Sequence, residues 1–138
     1  MIYDLRFTIF DWALVFCIKK NIMTKEELKA RTKAYALANA RLVLSLPVNI
    51  VNRNYADQLN RSASSTGANY RAACRAKSKN DFINKFKIVE KELDETLFFL
   101  ELLIELNPEL TEKIQLTYKE GNELLSIIVA SLNTLRGN

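Results

Sequence analysis

The chain has 138 residues, with 20 Lys and Arg against 16 Asp and Glu, two cysteines and no histidine. One compact domain is the expectation at this length, and the missing histidine excludes Ser-His-Asp and Cys-His catalysis, His-ligated zinc and Glu-x-x-His di-iron sites. Cys17 and Cys74 are too few for a disulfide framework or a thiolate site, so a reducing cytoplasm with no metal and no cofactor is expected; 3 Gly and 2 Pro are too few turn residues for a many-stranded fold, which predicts an all-α protein.

Residues 1–22 carry Tyr3, Phe7, Phe10, Trp12 and Phe16 without a periodic apolar face. The longest apolar run, Trp12 to Ile18, is far short of the ~20 residues of a membrane span. Lys19 and Lys20 follow it rather than precede it, unlike a secretory signal. No membrane partner is expected. Directly after Met23 comes Thr24-Lys25-Glu26-Glu27, a capping box that opens a helix. The expectation is an N-terminal extension, 1–22, outside a domain at 23–138. The alternative is a short extra helix docked on that domain.

From Thr24 the inward stripe of a first helix reads Leu28, Thr32, Tyr35, Asn39, Leu42 and Leu46, and Pro47 stops it. A second helix spans about 49 to 77, with Tyr55, Leu59, Ser62, Thr66, Asn69 and Ala73 inward. Its middle, Ser62 to Ala68, is a run of small residues that allows close helix approach. The third opens at Ser78, with Asp81 three residues on, and continues through Phe82, Phe86, Val89, Leu93, Leu97, Leu100 and Ile104. Pro108 suits the first position of a fourth, which carries Leu110, Ile114, Gly121, Leu124, Ile128, Leu132 and Leu135 inward. Short connections between such helices predict an up-down-up-down four-helix bundle.

Phe98, Phe99, Leu102, Leu103, Ile127, Val129, Val43 and Leu44 lie beside these stripes. They predict a second buried face and a homo-oligomer; alternatively, the aromatics fill space beside the small-residue run. Charge divides along the chain: residues 25–91 hold 14 Lys and Arg against 5 Asp and Glu, and residues 92–138 hold 3 against 9. The basic part clusters into Arg71, Arg75, Lys77, Lys79, Lys85, Lys87 and Lys91, which antiparallel packing places at one end and on one side. Such a patch attracts a phosphate backbone, RNA or DNA, by counterion release. The competing reading complements the second helix's dipole and pairs the rest with Glu90, Glu92 or Asp94.

Arg61, Asn69 and Glu95 fall on or beside the inward stripes, where polar groups need partners. An Arg61–Glu95 pair surrounded by Ser62, Asn69 and Ser78 makes a structural polar network. Glu95 held ionised beside Arg61 is a poor general acid, so no catalytic residue is assigned and no enzyme is expected.

At these residues the chain resembles a known family. Leu46-Pro47, Gln58-Leu59-x-Arg61-Ser62-x-x-Ser65-x-Gly67-Ala68-Asn69-Tyr70-Arg71-Ala72-Ala73, Arg75-Ala76-Lys77-Ser78-Lys79-x-Asp81-Phe82 and Glu92-x-Asp94-Glu95-Thr96-Leu97-Phe98-Phe99-Leu100-Glu101-Leu102-Leu103 are similar to the bacterial four helix bundle protein family. Its founding members are encoded in intervening sequences of 23S ribosomal RNA genes. The resemblance covers about residues 23–135 and implies a left-handed up-down bundle assembled as a homopentamer with a basic surface. It also implies similarity to the accessory variability determinant protein of diversity-generating retroelements, which binds nucleic acid and works with a reverse transcriptase. Ala72 stands where many relatives have Glu, so the ion pair implied there is missing. The expected function is non-enzymatic binding of RNA or DNA backbones through the seven basic residues. The alternative is a protein adaptor that docks a reverse transcriptase or another acidic partner.

Overall fold

Three of the four helices begin at a capping side chain, Thr24 and Ser78 as the sequence predicts and Asn49 in addition. In the computed structural model, which describes residues 23–137, Thr24 Oγ1 accepts from the Glu27 N–H at 3.1 Å and opens α1, Lys25–Ser45. Asn49 Oδ1 accepts from the Asn52 N–H at 2.8 Å at the start of α2, Ile50–Ala73. Ser78 Oγ accepts from the Asp81 N–H at 3.0 Å ahead of α3, Lys79–Leu106. Each bond satisfies an amide that the first turn leaves without a helical partner. The last helix, α4, Thr111–Leu135, has no such cap. It is preceded by a 3₁₀ turn, Pro108–Leu110, so Pro108 does not open α4 as expected. The Leu110 N–H closes that turn on the Asn107 carbonyl, 2.9 Å away, before the chain widens into α-helix.

The second helix also stops earlier than its pattern predicts, at Ala73 instead of Lys77. The Asp81 carboxylate accepts from the Lys77 N–H at 3.0 Å, and Ser78 is fully extended. Together they commit the chain to the next helix before α2 can continue. The expected extension at 1–22, including Cys17, lies outside the described residues.

Contacts run antiparallel around the bundle. Tyr70 packs on Phe86 across α2 and α3, with ring centroids 5.9 Å apart, and Ser62 meets Thr96 farther up. The Tyr118 hydroxyl donates to Glu101 across α3 and α4 at 3.0 Å. Between α1 and α4, Arg31 donates to Glu120 twice and reaches Glu123, all at 2.7 Å. The described residues thus form an all-α, up-down-up-down arrangement of four helices, with no strand among them. The α2–α3 turn, the start of α1 and the end of α4 share one end, here the lower.

The core has two parts. Below, Leu28, Tyr35, Tyr70, Phe82, Phe86, Val89 and Leu93 pack with Leu124, Ile128 and Leu132; above, Leu42, Leu59, Leu97, Leu100, Leu103 and Ile114 form the second cluster. Phe82 and Phe86 stack with centroids 4.6 Å apart. Each is fully buried, which contributes roughly 1.5–3 kcal/mol. All six residues of the expected α1 stripe are buried. On the other stripes Tyr55, Asn69, Ile104 and Leu110 are only half-buried.

Two of the three glycines sit where helices approach. A Cβ on Gly67 would lie 3.5 Å from the Thr32 carbonyl oxygen, so the small-residue run of α2 receives the α1 backbone. A Cβ on Gly121 would collide with the Tyr35 hydroxyl and crowd Leu97 at 3.0 Å. Phe99 instead packs on Tyr55 and Phe98, at centroid distances of 5.9 and 5.3 Å, and does not fill space beside Ser62 to Ala68.

The expected second apolar face is redrawn. Leu103 and Ile127 belong to the core, and Val43, Phe99, Leu102 and Val129 are half-buried; of that group only Phe98 and Leu44 are exposed. The most exposed apolar side chains are Val48 at 88%, Leu44 at 85%, Leu116 at 73% and Ile50 at 71%. Three of these four gather at the upper α1–α2 corner, where Pro47 ends one helix and Asn49 starts the next.

Candidate nucleic-acid interface

The α2–α3 turn carries the basic cluster because two helices meet there end to end. Arg71 lies in the last turn of α2, Arg75 and Lys77 in the connection, and Lys79, Lys85, Lys87 and Lys91 in the first half of α3. Six of the seven are exposed; Lys85 is half-buried. Arg71, Arg75, Lys79, Lys87 and Lys91 have no carboxylate partner among the described residues. Among the described residues none of these five pairs with Glu90, Glu92 or Asp94, and Lys85 pairs with Asp81 instead. Arg71 does sit where a cation complements the α2 dipole.

Lys85 differs from the rest, because its Nζ lies 2.6 Å from Asp81 Oδ1. That bond, with the Lys77 N–H, holds the Asp81 carboxyl below its ordinary value. A depressed carboxylate stabilises the fold above its unfolded-state value and loses that contribution as pH falls through its folded-state value. The melting temperature of Asp81→Asn should therefore lie below that of the parent at neutral pH. The difference should shrink as pH drops below the ordinary carboxylate range, and a constant difference down to strong acid would contradict the role given to Asp81.

The seven share one end but spread around it. Arg71 lines a groove against α1, opposite Lys33, whereas Lys87 and Lys91 project from α3 on either side of Ile88, itself 41% exposed. Arg71 thus borders α1 as well as the turn. Arg31, by contrast, is taken out of the basic surface by Glu120 and Glu123.

Arg61, Ser62, Asn69, Ser78 and Glu95 do not form one network. Arg61 bonds Glu95 at 2.8 Å and Gln58 at 2.9 Å, but its side chain is 57% exposed, which makes this a surface pair. Ser62 is fully buried and accepts from Thr96 at 2.8 Å. Asn69 donates only to Ser65, on its own helix, and Ser78 is a cap. Arg61→Ala should accordingly cost less than about 1 kcal/mol in denaturant unfolding.

The polar core uses residues the sequence reading did not combine. Thr96 links Ser62 to the Glu92 carbonyl, and the Asn39 amide caps the Tyr35 carbonyl at 2.9 Å. Asn52 and Asn107 donate to one another at 2.9 and 3.0 Å. Glu92 is 6% exposed, and its Oε2 has no hydrogen-bond partner. The available signal was a polar residue repeatedly occupying an apolar stripe, as Glu92 and Thr96 do between Val89 and Leu100. Among the described residues no three Cys, Asp or Glu side chains converge as metal ligands do. No described helix is long and apolar enough to cross a membrane.

The resemblance in the central blocks is matched by a family model, that of the 23S rRNA-intervening sequence protein, over residues 26–130. The chain belongs to this family. All seven basic residues and the Arg61–Glu95 pair fall within the matched span. The chain is also similar to a crystal structure at 1.70 Å resolution of a protein of unknown function from the S23 ribosomal protein family of Bacteroides thetaiotaomicron. Identity is 30% and the TM-score 0.70, with 80% of this chain and 99% of that one covered. No curated protein matches the chain.

Proposed function

We propose that this member of the 23S rRNA-intervening sequence protein family is a non-enzymatic, cytoplasmic homo-oligomer that binds RNA or DNA backbones through its lower, basic end. The observation that carries this reading is the group of five exposed cations, Arg71, Arg75, Lys79, Lys87 and Lys91, that have no carboxylate partner among the described residues, with Lys77 beside them. Phosphates are the natural counter-charge for such a surface, and their recognition there has no sequence preference. Leu44, Val48 and Ile50, at the opposite end, supply an apolar contact between copies, and a pentamer would multiply the basic ends.

Titration of labelled single strands of about 16 nucleotides, RNA and DNA, across a salt series tests the reading, with light scattering for the oligomer. Each phosphate contact should add about 0.7 to the slope of log affinity against log salt, so five contacts give a slope near −3.5. With no histidine in the chain, affinity should stay flat between about pH 6 and 8.5. No binding, or binding with a slope near zero, overturns the proposal. Exposed Ile88 between Lys87 and Lys91 favours the second reading, an adaptor docking an acidic protein such as a reverse transcriptase. In that case protein capture survives in the absence of any oligonucleotide binding.

A further inference from the structure

We propose that the groove between α1 and α2 seats the sugar-phosphate backbone of a single strand, gripped between Lys33 and Arg71; this rests on the nucleic-acid reading above and adds α1 to the surface. The groove is an open cavity of about 320 Å³. Thr32, Ala36, Ser64, Gly67 and Ala68 line it, and the two cations come from its two helices, Lys33 from α1 and Arg71 from α2. Neither cation pairs with a carboxylate among the described residues, and no carboxylate lines the groove. The neighbouring grooves differ: one contains Asp57, another Glu112 and a third Glu120.

Two like charges facing each other across small residues leave room for an anion between them. Arg71 offers a planar fork of donors and Lys33 a compact ammonium, a combination that suits a phosphodiester, whose two non-bridging oxygens share one negative charge. Among the described residues no aromatic side chain lines the groove, so they offer the bases nothing to stack on, and the backbone is the part they fit. The floor is low because Gly67 and Ala68 have little or no side chain. A single strand can enter it; a duplex can rest only on the rims.

The test uses the full chain with two variants, Lys33→Glu and Ala68→Glu. Both positions are exposed on regular helix, so folding should be retained and is checked by circular dichroism. Each should weaken binding of a single-stranded oligonucleotide about tenfold and lower the salt slope by about 0.7, with a smaller effect on a duplex of the same length. Single-strand binding at parental affinity in both variants overturns the groove while leaving the basic-end reading intact. Equal losses for single strand and duplex overturn the single-strand assignment. Failure of the parent chain to bind either nucleic acid overturns the basic-end reading itself, and the groove with it.

Discussion

Replacing Arg71, Arg75 and Lys79 together by alanine is expected to lower single-strand affinity about 10- to 100-fold near physiological salt and to reduce the log–log salt slope by about 2. The three come from α2, the turn and α3, so the triple variant strips each of the elements that carry the basic cluster. None of them pairs with a carboxylate among the described residues, so their removal strands no buried charge. Unfolding free energy should change by no more than about 0.5 kcal/mol per site. Lys85→Ala is the matched comparison. Its ammonium is already held by Asp81 at 2.6 Å, so it should move affinity least among the seven. Unchanged binding in the triple variant, or a Lys85 effect larger than the triple, would remove the basic cluster from the interface.

Gly121→Ala is the substitution expected to harm the fold most for its size. The new methyl would collide with the Tyr35 hydroxyl and press on Leu97, and Tyr35 is 1% exposed. Overpacking of this kind costs about 1–3 kcal/mol, which for a domain near this size lowers the melting temperature by roughly 5–15 °C. Tyr35→Phe in the same chain removes the atom that the methyl strikes first and should restore part of the loss. Gly67→Ala is the opposite case. Its methyl would meet only ordinary contacts with Thr32, the nearest at 3.5 Å, so it should be neutral or stabilise by up to about 1 kcal/mol through helix propensity. Equal melting temperatures for the two alanine variants would refute the packing argument.

Much of the bundle was legible because its signals are local. The α1 stripe from Leu28 to Leu46 follows helical periodicity, and Thr24, Asn49 and Ser78 act within three residues of themselves. The end of α2 was less legible, since Arg75-Ala76-Lys77 is a good helical stretch and only the Asp81 bond to Lys77 argues otherwise. Pro108 announced a boundary correctly, yet the intervening 3₁₀ turn depends on how α3 releases Asn107. Arg61 and Glu95 could be matched by counting antiparallel positions, but their exposure could not be counted. Lys33 reads in isolation as one more solvated lysine. It becomes a groove residue only once α2 is packed on α1, with Gly67 against Thr32 and Arg71 lining the same groove.

The reciprocal amide pair of Asn52 and Asn107 has a consequence for how many structures the chain can adopt. Leucine and phenylalanine repeat along the inner face of α3, and small or apolar residues (Ala56, Leu59, Ala63, Tyr70 and Ala73) along that of α2, so sliding one helix past the other by a turn, about 5.4 Å, would again set apolar side chains of α3 against small or apolar ones of α2. Asn52 and Asn107 have no such second match. Both are nearly fully buried, at 3% and 2% exposure, and a slip would leave two amides facing hydrocarbon. That costs about 1–3 kcal/mol for each. The buried apolar faces make the two helices associate, and the two asparagines select one among the competing arrangements, as a single buried asparagine does in a coiled coil.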